Sequence, residues 1–140
     1  MTVLFNPYLS FDDNARQVME FYHSVFGGKL EISTFGEFGM SDDPAEKDKV
    51  MHSQLTADLG FVLMASDTPK AMGFQPGAGY SLSFSGDDDV TLRKLWADLA
   101  DGGEITLPLD QAPWGDVFGQ VKDRFGVSWM VSIATPAAAE

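Results

Sequence analysis

No cysteine occurs among the 140 residues. Thiol nucleophiles, disulfide bridges and cysteine-bound zinc are therefore excluded. Basic residues are scarce: nine Lys and Arg stand against 21 Asp and Glu, a formal net charge of −12. Nucleic acid and anionic membrane surfaces are recognised through clustered Lys and Arg, so neither is expected as a partner. The acidity itself is accounted for by solubility. Histidine is limited to two positions, His23 and His52. No apolar run approaches the ~20 residues of a membrane-spanning helix. Met1-Thr-Val-Leu-Phe-Asn-Pro lacks a basic start and a small-residue cleavage site, so no signal peptide and a cytoplasmic location are expected. Ala137-Ala-Ala-Glu140 reads as a short disordered tail. A hydrophobic fraction of 44%, with 12% aromatics, suffices for the core of one compact domain.

The chain repeats itself. Gln54-Leu-Thr-Ala-Asp-Leu-Gly-Phe-Val-Leu-Met64 recurs as Gln120-Val-Lys-Asp-Arg-Phe-Gly-Val-Ser-Trp-Met130, 66 positions later. Tyr8-Leu-Ser-Phe-Asp-Asp, a helical run and Gly27-Gly28 resemble Ser81-Leu-Ser-Phe-Ser-Gly-Asp, a helical run and Gly102-Gly103. The shared Leu-Ser-Phe relates Phe11 to Phe84 by a shift of 73. Self-similarity of this length marks duplicated supersecondary units that bury a shared core. Two such units facing each other enclose a cleft.

Hydrophobic periodicity predicts βαβββ in each half. In the first, strands cover 3–11, 29–35, 50–57 and 61–67. Asp12, Asp13 and Asn14 are capping residues before a helix with Val18, Phe21, Tyr22, Val25 and Phe26 on its apolar face. Gly27-Gly28 ends that helix. In the second half, strands cover 79–84, 104–109, 116–122 and 127–133. Asp87 to Asp89 cap a helix whose stripe is Leu92, Leu95, Trp96 and Leu99. The modules run approximately over 1–67 and 79–135, joined by a linker, 68–78. The fold class is α+β, two βαβββ modules in one domain. Residues 36–49 form an acidic loop, read either as solvated or as a lid carrying Phe38 and Met40.

Strand alternation sorts the faces. Leu9, Phe11, Met51, Leu55, Leu63 and Ala65 lie toward the first helix. Asn6, Tyr8, Ser10, His52, Gln54, Thr56, Val62, Met64 and Ser66 lie toward the cleft. In the second half Leu82, Phe84, Val121, Trp129 and Val131 take the helix side. Gly79, Ser81, Ser83, Phe118, Gln120, Ser128, Met130 and Ser132 face the cleft.

Asn6-Pro-Tyr-Leu-Ser-Phe and Glu20-Phe-Tyr-His-Ser-Val-Phe-Gly-Gly28 resemble the opening of glyoxalase-like domains. Lys47-Asp-Lys-Val-Met-His-Ser-Gln-Leu, Leu63-Met-Ala-Ser-Asp67, Trp114-Gly115 and Asp123-Arg-Phe-Gly-Val-Ser-Trp-Met130 narrow the resemblance to the PhnB-like branch. It covers almost the whole chain. The resemblance implies the vicinal oxygen chelate fold, a half-open, cup-shaped sheet, usually dimeric, found in glyoxalases, extradiol dioxygenases, fosfomycin-modifying enzymes and bleomycin-sequestering proteins. Fold alone does not choose among these activities. The branch also carries an inherited label as a ubiquinone methyltransferase. The residues do not support that label as an activity, because no Gly-rich loop follows a strand to hold S-adenosylmethionine.

Metal-dependent members place four ligands on the cleft face, normally His, Glu or Gln, His and Glu. The resemblance puts Asn6, Met64, Gly79 (or Tyr80 in a slipped register) and Met130 at those positions. Zinc, nickel, iron and manganese take imidazole or carboxylate there, so no metal and no other cofactor is expected. His52 reads either as a general base or substrate hydrogen-bonding group, or as a strand residue satisfied by a neighbour. A metal site built on His52 with Glu37 or Asp67 has no support from spacing. Gln54 and Gln120 form a pseudo-symmetric pair, while Met64 and Met130 make an adaptable apolar floor or a plug. Trp114 either stacks on an aromatic ligand or closes a dimer contact. The candidate ligand-binding set is Asn6, Tyr8, His52, Gln54, Met64, Trp114, Phe118, Gln120 and Met130, with His52 the candidate catalytic residue. The expected function is binding of a small apolar or aromatic molecule by a homodimer. The alternatives are a lyase, isomerase or transferase using His52 or an unconventional ion, and a drug-sequestering resistance protein.

Overall fold

The computed structural model describes residues 2–39, 41 and 43–135. Met40 of the expected loop and the Ala137–Glu140 tail lie outside the described residues. The chain divides into two compact units, Met1–Gly77 and Ala78–Glu140. The first contains β1 (Tyr8–Phe11), α1 (Ala15–Phe26), β2 (Lys29–Thr34), β3 (Val50–Thr56) and β4 (Val62–Asp67), followed by one 3-10 turn at Lys70–Met72. The second contains β5 (Leu82–Gly86), α2 (Asp89–Ala100), β6 (Glu104–Gln111), β7 (Val117–Lys122) and β8 (Ser128–Ile133). Each unit builds one four-stranded sheet, in the orders β1-β4-β3-β2 and β5-β8-β7-β6. The first strand of each runs parallel to the last, and the other pairs are antiparallel. The sequence repeat is thus a repeat of topology, in an α+β fold.

Each helix lies against its own sheet. On α1 the fully buried residues are Ala15, Val18, Met19, Tyr22 and Phe26, spaced three and four apart. The stripe is rotated slightly from the expected one: Met19 is buried, while Phe21 and Val25 are half-buried. On α2 the buried residues are Leu92, Leu95 and Leu99. Trp96 lies over Gly119, where a β-carbon would collide with its ring. Leu55, Leu63 and Leu99 are 0–1% exposed, and each contributes roughly 1.5–3 kcal/mol by its burial. Gly28 closes the turn into β2 with φ +90°, and a β-carbon there would strike the Thr56 carbonyl oxygen.

Strand starts differ from expectation for a register reason. Tyr8 pairs with Met64, so residues before Asn6 overhang the start of β4 at Val62 and have no strand beside them. The strand therefore begins at Tyr8 rather than Val3, and Val3, Leu4 and Phe5 are exposed. Likewise Leu82 pairs with Trp129, and Gly79 falls beyond the start of β8. The second strand therefore begins at Leu82.

The helix caps divide. Asp88 caps α2 as expected, accepting the Thr91 N–H at 3.1 Å and the Thr91 hydroxyl at 2.8 Å. These bonds hold its carboxyl below the ordinary aspartate range. An NMR titration should place its midpoint below that of an unconstrained aspartate. Because the folded value is depressed, the cap's contribution is complete above the unfolded value and fades as pH falls through the folded one. A midpoint at or above the ordinary value would contradict the cap. At α1, by contrast, Asn14 occupies the cap position without a side-chain bond. The Ala15 N–H donates to Asp67 Oδ1 at the end of β4, 2.9 Å away. The capping expected of Asp12, Asp13 and Asn14 comes instead from a residue distant in sequence.

Candidate functional site

The site candidates lie on the sheet faces turned away from the helices. In the first unit the buried residues of β1, β3 and β4 are Leu9, Phe11, Val50, Ser53, Leu55, Leu63, Ala65 and Asp67, on the α1 side. Tyr8, His52, Gln54 and Met64 alternate with them and are half-buried or exposed. One irregularity shifts the start of β3. Ser33 pairs with His52 and Thr34 with Val50, so Met51 is an extra residue in the ladder. Beyond such a bulge the faces exchange. Val50 is therefore buried where Met51 was expected, while His52, Gln54 and Thr56 keep the expected face.

Pairing assembles a row across all four strands: Tyr8 beside Met64, Met64 beside Gln54, and Gln54 beside Glu31. The equivalent row in the second unit is Ser83, Met130, Gln120 and Leu107. The repeated Gln and Met are therefore direct cross-strand neighbours in both units. Cross-strand neighbours on one face lie about 4.5–5.5 Å apart between β-carbons, close enough to present a thioether and an amide to one molecule.

His52 sits next to this row. Its Nδ1 is 3.3 Å from the Tyr8 hydroxyl, with ring centroids 5.8 Å apart. Gln54 donates from its amide to Thr56 Oγ1 at 3.5 Å, which holds it loosely. In the second unit Trp114 meets Phe118 edge-to-face, with centroids 5.7 Å apart. Phe118 pairs with Ser132 and Gln120 with Met130. Trp114 is 64% exposed, so most of its indole remains open to contact. Asn6 precedes β1 and is half-buried. The structure thus groups Tyr8, His52, Gln54 and Met64 in one unit, and Trp114, Phe118, Gln120 and Met130 in the other. Glu31 completes the first row. The polar-apolar alternation of Lys29-Leu-Glu-Ile-Ser33 is the signal that locates it.

His23 is exposed, and its Nε2 lies 2.9 Å from the Gly28 carbonyl oxygen, a local closure of the helix end. Asp67 is only 3% exposed, and its two oxygens accept the N–H groups of Ala15 and Val50. Glu37 accepts from the N–H and hydroxyl of Thr34. Neither carboxylate is offered to His52.

Registers also correct the relation between the two first strands. Thr68 N–H donates to the Phe11 carbonyl and Ala134 N–H to the Gly86 carbonyl. With β4 and β8 related by 66 positions, β1 and β5 are related by 75, not 73. The short Leu-Ser-Phe match misleads by two residues, so Asn6 corresponds to Ser81 and not to Gly79. Ser81 and Ser128 share a hydroxyl hydrogen bond of 2.8 Å. Of the positions that the resemblance gives to metal ligands, the first unit thus carries Asn6 and Met64 and the second carries Ser81 and Met130. In neither unit does an amide or a hydroxyl beside a thioether fit a hard or borderline divalent ion. Among the described residues no group of three His, Asp or Glu is placed to hold one.

Comparison with known proteins agrees with this geometry. The family model described as 3-demethylubiquinone-9 3-methyltransferase matches residues 4–132. The crystal structure of protein PA1353 from Pseudomonas aeruginosa is similar at 39% identity and a TM-score of 0.79, covering 94% of this chain and 98% of that one. A putative 3-demethylubiquinone-9 3-methyltransferase, PhnB protein, from Bacillus cereus is similar at 26% identity and a TM-score of 0.74, covering 94% and 100%. A glyoxylase/bleomycin resistance protein/dioxygenase domain from Frankia sp. EAN1pec shares the fold, at 15% identity and a TM-score of 0.64, over 98% and 95%. Two βαβββ units of identical strand order, matched by that family over almost their full length, make the chain a member of the 3-demethylubiquinone-9 3-methyltransferase family, in the PhnB-like branch of the vicinal oxygen chelate superfamily.

Proposed function

We propose that the protein binds a small apolar or aromatic molecule carrying a few polar groups, on the sheet faces turned away from its helices and without the superfamily's divalent ion. The carrying observation is the repeated row: a methionine flanked by a glutamine stands at the centre of each face. Thioethers adapt to irregular apolar shapes, and a few fixed polar groups orient what they hold. In the first unit Tyr8, His52 and Gln54 supply those groups. In the second, Gln120 supplies one, with Phe118 and Trp114 offering aromatic surface.

The test is a thermal-shift screen of small aromatic compounds on protein purified without chelators, followed by titration and metal analysis. A ligand at 100 times its dissociation constant stabilises by about 2.7 kcal/mol. For a ligand so found, His52→Ala should weaken binding about tenfold and Tyr8→Phe severalfold, the range of a lost hydrogen bond. Unchanged affinity in both would remove the first face from the site. One tightly held divalent ion per chain would overturn the metal-free reading. Stoichiometry decides whether the two faces take one molecule or two.

The Tyr8–His52 contact favours a second reading, an enzyme of lyase or isomerase type with His52 as general base. Conversion of bound ligand, abolished by His52→Ala, separates it from capture without product, which is the outcome for a sequestering protein. Methyl transfer is the activity the family description suggests, and the residues at hand do not fit its cofactor. The β1–α1 connection carries Asp12, Asp13 and Asn14 rather than glycines, and the first N–H of α1 is already bonded to Asp67. The proposed working form is a cytoplasmic homodimer. Exposed Val3, Leu4 and Phe5, and Ile105 and Leu107 on the edge strand β6, support association.

A further inference from the structure

A concavity in the first unit shares no lining residue with the row just described. It is a cleft of about 640 Å³ whose walls include Phe35, Pro69 and Met72, with Asp43, Glu46 and Lys70 among its polar lining. Its volume falls within the ~300–1,000 Å³ range of small-molecule sites. Glu46 builds the cleft. Its Oε1 accepts the Lys70 N–H at 2.8 Å, and its Oε2 lies 2.8 Å from the Lys49 ammonium. The side chains of that pair are only 18% and 12% exposed. The bond to Lys49 first, and then that to Lys70, hold the Glu46 carboxyl below its ordinary range. The loop that follows β2 is thereby fastened to the segment that follows β4.

With Glu46 and Lys49 neutralising each other, the remaining charges on the lining are, among the described residues, Asp43, whose Oδ1 also accepts the Ala45 N–H, and Lys70, one of each sign. A ring, a proline and a thioether form the apolar wall. A ligand with a net negative charge meets the field of a chain of net charge −12. A ligand with only a positive charge leaves Lys70 without a partner. We propose that this cleft binds an apolar zwitterion of amino-acid or dipeptide size. Its ammonium is held by Asp43, its carboxylate by Lys70, and its side chain lies against Phe35, Pro69 and Met72.

The probe is L-phenylalanine, followed by NMR of the labelled full chain, with 2-phenylethylamine and 3-phenylpropionate as analogues that each keep one charge. Phenylalanine should shift the amide signals of Asp43 to Glu46 and Lys70 to Met72 saturably. Each analogue should bind about tenfold more weakly or worse, the value of one charge-assisted hydrogen bond. Asp43→Asn should weaken phenylalanine to the level of phenylpropionate, and Lys70→Met to the level of phenylethylamine, with unchanged melting temperatures. His52→Ala should leave phenylalanine binding intact, which keeps this cleft distinct from the face proposed above. Absence of a saturable shift would overturn the proposal. So would analogues that bind as tightly as phenylalanine, or shifts centred on His52 and Gln54.

Discussion

Asp67→Ala is expected to lower the unfolding free energy by roughly 3–5 kcal/mol in urea or thermal denaturation. The carboxylate is 3% exposed and accepts two backbone N–H groups at 2.9 Å, Ala15 at the start of α1 and Val50 at the start of β3. Removing it leaves two donors without an acceptor at sites with little water, each costing about 1–3 kcal/mol. The cap of α1 is lost with it. Against a typical total of about 5–15 kcal/mol, this is a large fraction. Asp67→Asn keeps one acceptor oxygen and should lose about half as much. The substitution also reaches the site. Val50 adjoins the bulge at Met51, and the bulge sets the strand entering His52. Asp67→Asn should therefore weaken a ligand held by His52, while Glu37→Gln, whose partner is Thr34, leaves it unchanged. A loss in stability below about 1 kcal/mol for Asp67→Ala would show that water replaces the carboxylate and that the tie is dispensable.

The role of Asp67 also marks where sequence reading ends. Alternation and helix periodicity are local, and they located the eight described strands and both helices, the largest displaced end being the start of β1, expected at Val3 and observed at Tyr8. They also placed Tyr8, His52, Gln54 and Met64 on one face, as observed. What they missed depends on distant partners. Nothing local distinguishes Asp67 from Asp12 or Asp13 as the cap of α1, because the deciding contact spans 52 positions. The bulge at Met51 arises from pairing with β2, where Ser33 and Thr34 follow different registers. A hydrophobic pattern reading Val-Met gives no hint which of the two turns inward. The two-residue error between β1 and β5 has the same origin: Leu-Ser-Phe occurs in both halves, but the carbonyls that receive Thr68 and Ala134 belong to Phe11 and Gly86.

Asp123→Ala is expected to cost about 3–6 kcal/mol. Asp123 is also 3% exposed. Its Oδ1 accepts the N–H groups of Phe125 and Val127, and its Oδ2 accepts the indole N–H of Trp129 at 2.9 Å. The first unit shows what the same turn does without a carboxylate. Ala57 stands 66 positions earlier, with the same backbone bonds: Ala57 N–H to Phe61 and Gly60 N–H to Ala57, as Asp123 N–H to Val127 and Gly126 N–H to Asp123. Leu63, which carries no donor, stands at the position of Trp129. The backbone turn therefore does not itself require an acid, and the indole in the second unit supplies the added demand. A double-mutant cycle tests this. Trp129→Phe alone keeps most of the ring that stacks on Phe84 but takes the indole donor from the buried Asp123 Oδ2, so it should cost about 1–3 kcal/mol. Asp123→Ala in the Trp129→Phe background should then cost about 1–2 kcal/mol less than in the parent, since no buried indole N–H is left unpaired. Strict additivity would mean that Asp123 serves the turn amides alone, and that the Asp–Trp pair of the second unit is coincidental to its stability.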